Sequence, residues 1–90
     1  MSGVVDNSEH HRFELEEDGY LAFATYRRDG DRYAIPHVEA APELRGKGTA
    51  GRLMDGIVAL ARERGFRIVP TCPYAIAWFK RHPDAADVTA

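Results

Sequence analysis

Pro42-Glu43-Leu44-Arg45-Gly46-Lys47-Gly48-Thr49-Ala50-Gly51 is the stretch on which the reading of this 90-residue chain turns. It joins a segment of strand-like alternation to a segment of helical periodicity. Small residues at such a junction let backbone N–H groups approach a ligand closely, and a helix N-terminus favours negative charge. Arg45 and Lys47 add positive charge beside those amides, where a pyrophosphate would lie. A plain flexible connection would use the same glycines; the two cations are what favour an anion site. Gly46, Gly48 and Gly51 spell GxGxxG, but a dinucleotide fingerprint follows its strand directly and is answered by an acid about 20 residues on. Here Pro42 to Leu44 intervene, and the next strand ends at Thr71 and Cys72. A P-loop is excluded because Lys47 is followed by Gly48 and not by Ser or Thr.

Upstream of the loop, Arg32 to Glu39 reads as a strand with Tyr33, Ile35, His37 and Glu39 on one face, interrupted at Pro36 by a bulge or lying at an unpaired edge. Asp29-Gly30 is a hairpin signal linking it to a strand over Tyr20 to Tyr26. A turn at Asp18-Gly19 precedes that strand, and from His11 the alternation of Phe13 and Leu15 with polar residues predicts another. Downstream, Ala50, Leu53, Met54, Ile57, Val58, Leu60 and Ala61 recur at helical spacing until Gly65 stops the helix. A short buried strand over Phe66 to Thr71 and a second helix over Tyr74 to Arg81 follow. The expected fold is α/β (α+β): about four mostly antiparallel strands, two main helices, and a β-α-β crossover that makes the last strand near-parallel to the third. Residues 1–9 are expected to be irregular, 10–84 to form one domain, and 85–90 to be a tail.

Composition narrows the function. At 44% hydrophobic and 29% charged residues the chain is globular, and 90 residues provide one core and one site. The longest uncharged run, Ile68 to Phe79, contains two prolines and is too short to span a bilayer. The N-terminus carries no basic segment followed by an apolar one, so a cytoplasmic protein is expected. One cysteine, Cys72, excludes an intrachain disulfide, a zinc finger and a CxxC redox pair, and no metal site is expected. Six acids oppose one Arg through Asp18, whereas eleven Lys and Arg oppose eight acids after it. The bases are dispersed, which suits a small anion better than the phosphate track of a nucleic acid.

Arg45, Gly48 and Ala50 also fit Arg/Gln-x-x-Gly-x-Gly/Ala between a strand and a long helix. With His37-Val38-Glu39, Ala61-Arg62-Glu63-Arg64-Gly65, Val69-Pro70-Thr71-Cys72-Pro73-Tyr74 and Trp78-Phe79-Lys80-Arg81-His82-Pro83, the chain resembles the small, single-domain, cysteine-containing branch of the GCN5-related N-acetyltransferases. Ala40-Ala41, where a Val-Pro pair is usual, and Thr71, where an apolar residue is common, depart from that pattern. The resemblance implies a minimal acetyltransferase fold whose strands before and after the first helix splay apart, with a bulge near Pro36 to Ala40 helping to open the gap. It implies acetyl-CoA as co-substrate. The pantetheine arm would lie along Val38 and Ala40, the pyrophosphate would rest on Arg45, Gly46, Lys47, Gly48, Thr49, Ala50 and Gly51, and Tyr74 would sit beside the departing thiolate.

A free cysteine ordinarily packs in the core. The resemblance gives Cys72 a different role, near the acetyl group and able to carry it as acetyl-cysteine, with the N-terminus of the following helix favouring the anion; direct transfer to the amine is the other route. His37 and Glu39, two apart on one strand, can manage the proton of an incoming ammonium, or form an exposed polar face. Tyr74 suits the core as well as the site, and His82 suits the end of the last helix. A chain this short lacks the extra helices that would wall in an acceptor, so a protein or peptide amine is expected. The alternatives are a non-catalytic CoA or acyl-CoA binder and a plain interaction domain. Oligomeric state, acceptor and acyl length have no signal in the sequence.

Overall fold

The structure, a computed structural model, describes residues 3–90. Five strands form one sheet in sequential order: β1 (Val5–Asn7), β2 (Arg12–Glu17), β3 (Tyr20–Asp29), β4 (Arg32–Ala40) and β5 (Arg67–Pro70). The first four are antiparallel neighbours, and β4 pairs with β5 in parallel across α1 (Thr49–Arg64). A second helix, α2 (Pro73–Arg81), follows β5.

The turns are dictated locally. Asp18 and Gly19 both have positive φ, 53° and 81°, as a two-residue hairpin turn requires. Gly30 (φ 63°) serves the hairpin in which Asp29 pairs with Arg32. Helix α1 buries Leu53, Met54, Ile57, Val58 and Ala61 against the sheet, and Gly65 ends it in the left-handed conformation with its N–H donating to Ala61 O at 2.8 Å. Phe13, Tyr33 and Phe66 stack at the end of the sheet far from the glycine loop, the Tyr33 and Phe66 rings 4.1 Å apart, and Tyr26 packs tilted against Phe13 and Tyr33. At the loop end, small Ala22 and Ala24 fill the corresponding buried positions of β3.

Three expectations are corrected. The sheet has five strands, because Val5–Asn7 pairs with β2 within the segment expected to be irregular; residues 1 and 2 of that segment lie outside the described residues. What orders β1 is a set of distant partners: Asp6 accepts hydrogen bonds from the Tyr26 hydroxyl at 2.6 Å and from Arg64 at 3.0 Å, and Asn7 donates to Glu14 at 3.0 Å. Second, residues 85–90 are no loose tail. A 3₁₀ segment over Pro83–Val88 buries Ala85 and Val88, Arg62 grips Asp87, and the Ala90 N–H donates to Ile68 O at 3.0 Å.

The third correction concerns β4. Thr25 pairs with His37 but Arg27 pairs with Ala34, so Ile35 and Pro36 together oppose Tyr26 in a bulge. One inserted residue exchanges the faces beyond it. Tyr33 and Ile35 are buried, whereas His37 and Glu39 lie exposed on the opposite face and Val38 and Ala40 pack toward the core.

Candidate active site

The bulge stands where β4 and β5 part. Their parallel ladder runs from Arg32 and Arg67 to Ile35 and Pro70 and ends there. The N–H groups of Thr71 and Cys72 both donate to Ile35 O, at 3.2 and 3.1 Å, closing the fork. Beyond it, Ala41 N–H donates to Leu21 O at 3.0 Å. Antiparallel geometry then makes Phe23/Glu39 and Thr25/His37 hydrogen-bonded pairs and turns the peptide groups of Val38 and Ala40 away from β3, into the gap. An extended ligand can pair with that strand edge.

The glycine loop forms the mouth of the gap. Pro42–Leu44 makes a 3₁₀ turn, Lys47 N–H donates to Leu44 O at 3.2 Å, and Gly48 is the N-cap of α1 at φ 77°. The first intrahelical bond is Arg52 N–H to Gly48 O. Gly48 has no side chain to cap the helix, so the N–H groups of Thr49, Ala50 and Gly51 have no partner within it, an arrangement that favours negative charge at this end. Arg45 is exposed; its backbone N–H donates to Pro42 O at 3.1 Å, and its guanidinium has no hydrogen-bond or ion-pair partner among the described residues. Lys47, the other expected phosphate ligand, donates to Asp18 at 3.1 Å in an exposed pair. Thr49 is only 1% exposed and its hydroxyl donates to Glu17 at 2.6 Å, so its side chain is committed to the fold.

Glu17 and Arg52 carry no signal in the sequence reading, yet they fasten this loop. Arg52 Nε and Nη2 reach the two Glu17 oxygens at 2.6 and 2.7 Å, and Nη2 also donates to Lys47 O at 2.7 Å. Arg52 and then Thr49 hold the Glu17 carboxyl down at about 2. The two residues are 35 positions apart, so only the packed fold reveals the pair.

Cys72 terminates the fork at the start of α2. Its sulfur accepts the Ala75 N–H at 3.3 Å, capping the helix, and the residue is 7% exposed. Tyr74, in the first turn, is 36% exposed, and burial raises its hydroxyl above the usual phenol range. His37 Nε2 and Glu39 Oε1 are 2.9 Å apart on the open face of β4, with the His37 ring near Phe23. The structure joins His37 to Glu39 and aligns Cys72 with the fork; among the described residues no hydrogen bond connects the pair to the thiol. His82 ends α2, its Nδ1 2.7 Å from Trp78 O and its ring stacked on the indole.

Among the described residues, no helix is long and apolar enough to cross a membrane. No curated protein matches the chain. The solution NMR structure of a GCN5-like protein from Staphylococcus aureus, proposed to be an N-acetyltransferase, is similar at 27% identity, covering 100% of this chain and 91% of that one with a TM-score of 0.73. The family model for GCN5-related N-acetyltransferases matches residues 12–88. With the splayed strands and uncapped loop already in place, that match identifies the chain as a member of the GCN5-related N-acetyltransferase family.

Proposed function

We propose that this acetyltransferase moves acetyl from acetyl-CoA to an amine carried by a protein or peptide. The observation that carries the reading is the fork between β4 and β5 with an uncapped, glycine-lined helix N-terminus at its mouth. The Gly48 to Gly51 amides and Arg45 suit a diphosphate, with Gly46 and Lys47 completing the loop around it. The free edge at Val38 and Ala40 suits the amide-bearing pantetheine arm. On this reading the thioester lies toward Cys72 and Tyr74.

In transfer through the thiol, Cys72 Sγ attacks the thioester carbonyl, a C–S bond to Cys72 forms, and CoA leaves as a thiolate that takes a proton. The amine then attacks the acetyl-cysteine, forming the amide and returning the electron pair to Sγ. In direct transfer the amine attacks the CoA thioester itself. The burial of Cys72 supports this second route, whereas the Ala75 N–H donated to Sγ favours the thiolate that the first requires. In either route Glu39, paired with His37, accepts the ammonium proton, and the Tyr74 hydroxyl donates to the departing thiolate.

Calorimetric titration of the reduced protein with acetyl-CoA, with NADH and ATP as controls, tests the reading. Saturable binding of acetyl-CoA alone is expected, followed by an intact-mass gain of one acetyl group on Cys72 if the thiol route operates. Binding without transfer to any amine or peptide would leave a CoA-binding module, and no binding by folded protein would leave an interaction domain.

A further inference from the structure

We propose that Arg52, held by Glu17, is a positioning residue for the diphosphate loop; the proposal rests on the acetyl-CoA reading above. The peptide between Lys47 and Gly48 is trans, as are all the described peptide bonds. In a trans peptide the carbonyl and N–H point in opposite directions. Arg52 Nη2 draws the Lys47 carbonyl toward itself at 2.7 Å, so the Gly48 N–H, next in the chain before the uncapped helix amides, is turned away from Arg52. The guanidinium lies so close under Gly48 that a Cβ at that position would come within 3.2 Å of Nη1. Arg52 is itself fixed in orientation by two bonds to Glu17, which the Thr49 hydroxyl also binds.

The pair has an electrostatic duty as well. Glu17 brings a carboxylate, ionised across the whole working pH range, up against a loop that must receive a dianionic group. Three donors on it, two from Arg52 and one from Thr49, offset that charge on the loop side. Removing Arg52 therefore has two effects on one ligand: the Gly48 amide loses its orientation, and the Glu17 charge faces the diphosphate. Removing Glu17 from the same variant reverses only the second.

The test is calorimetric titration of the full chain with acetyl-CoA, with the thermal midpoint of each variant measured in parallel. Arg52→Met is expected to weaken binding by on the order of 10-fold or more, and Glu17→Gln added to it to recover about 3-fold. Arg52→Lys, which keeps the charge but cannot bind both Glu17 oxygens and Lys47 O together, is expected to fall between wild type and Arg52→Met. Recovery in the double variant is a readout that a purely structural role would not give, since the second substitution removes a further contact. Arg52→Met binding as wild type does, or a double variant binding no more tightly than Arg52→Met, would overturn the proposal. If Arg52→Met does not fold, wild-type affinity in Arg52→Lys overturns it equally. Wild type failing to bind acetyl-CoA would remove the underlying reading and this proposal with it.

Discussion

The Cys72 N–H donates to the Ile35 carbonyl at 3.1 Å, so the thiol-bearing residue leaves β5 at the level where β4 loses its parallel partner. Cys72 is thus fixed to the apex of the fork by its backbone and to α2 by its sulfur. Its side chain has a packing role and a candidate chemical one, and substitutions can separate them.

Cys72→Ser keeps an acceptor for the Ala75 N–H, whereas Cys72→Ala removes it at a cost of about 1 kcal/mol, the usual worth of an N-cap. Both variants are expected to retain acetyl-CoA affinity within about 2-fold, since neither touches the loop amides. Under the thiol route both lose turnover; under direct transfer Cys72→Ser remains active. Steady-state rates with a peptide acceptor, set beside denaturant midpoints, decide between them.

Glu39→Gln is expected to lower kcat by about 100-fold, the scale of one lost general base, and to leave the affinity for acetyl-CoA unchanged because its side chain pairs with His37 and not with the glycine loop. A change in affinity with kcat intact would remove Glu39 from the chemistry. His37→Ala should give a smaller loss, since its ring touches the carboxylate and not the fork.

Gly48→Ala forces a side chain into the left-handed region at φ 77° and against Arg52 Nη1. A cost of about 1–2 kcal/mol in stability follows from the backbone alone. Chemical denaturation measures it. Gly19→Ala, also at positive φ but with open space around its Cβ, isolates the backbone term.

Acid stability follows from Glu17. Its folded-state carboxyl lies at about 2, below the ordinary value of 4.5, so its contribution is fully present above pH 4.5 and is lost as pH falls toward 2. Glu14, lowered by Arg12, and Asp87, lowered by Arg62, act in the same direction. Thermal midpoints of wild type are expected to drop over this window, and those of Glu17→Gln to drop less steeply. Parallel slopes would mean that the Glu17 bonds persist little in solution.

What could be read from the chain in advance was what local chemistry dictates. Asp18-Gly19 and Asp29-Gly30 are turns because positive φ is cheap there, and α1 is legible because five apolar residues recur at its period. The same logic misassigned the face of His37 and Glu39: counting by two assumes an unbroken ladder, and the bulge at Ile35 and Pro36 breaks it. Strand β1 and the Glu17 to Arg52 clasp were invisible for another reason. Asp6 finds Tyr26 and Arg64, 20 and 58 positions away, and nothing in a short window distinguishes such an acid from a solvated one. The family resemblance points to the loop and thiol because those motifs are contiguous, and it passes over the Glu17 to Arg52 clasp because that is assembled in space.

The four clustered rings, Phe13, Tyr26, Tyr33 and Phe66, lie at one end of the sheet, and the fork lies at the other. Local opening requires breaking packing, so amide hydrogen exchange should be graded along β4: slowest around Tyr33, fastest from Val38 to Ala40. A ligand laid along that edge would donate and accept the hydrogen bonds the strand lacks. On the proposed reading, catalytic readiness is a matter of where the rigidity of the sheet stops, with acetyl-CoA itself supplying the missing length of strand.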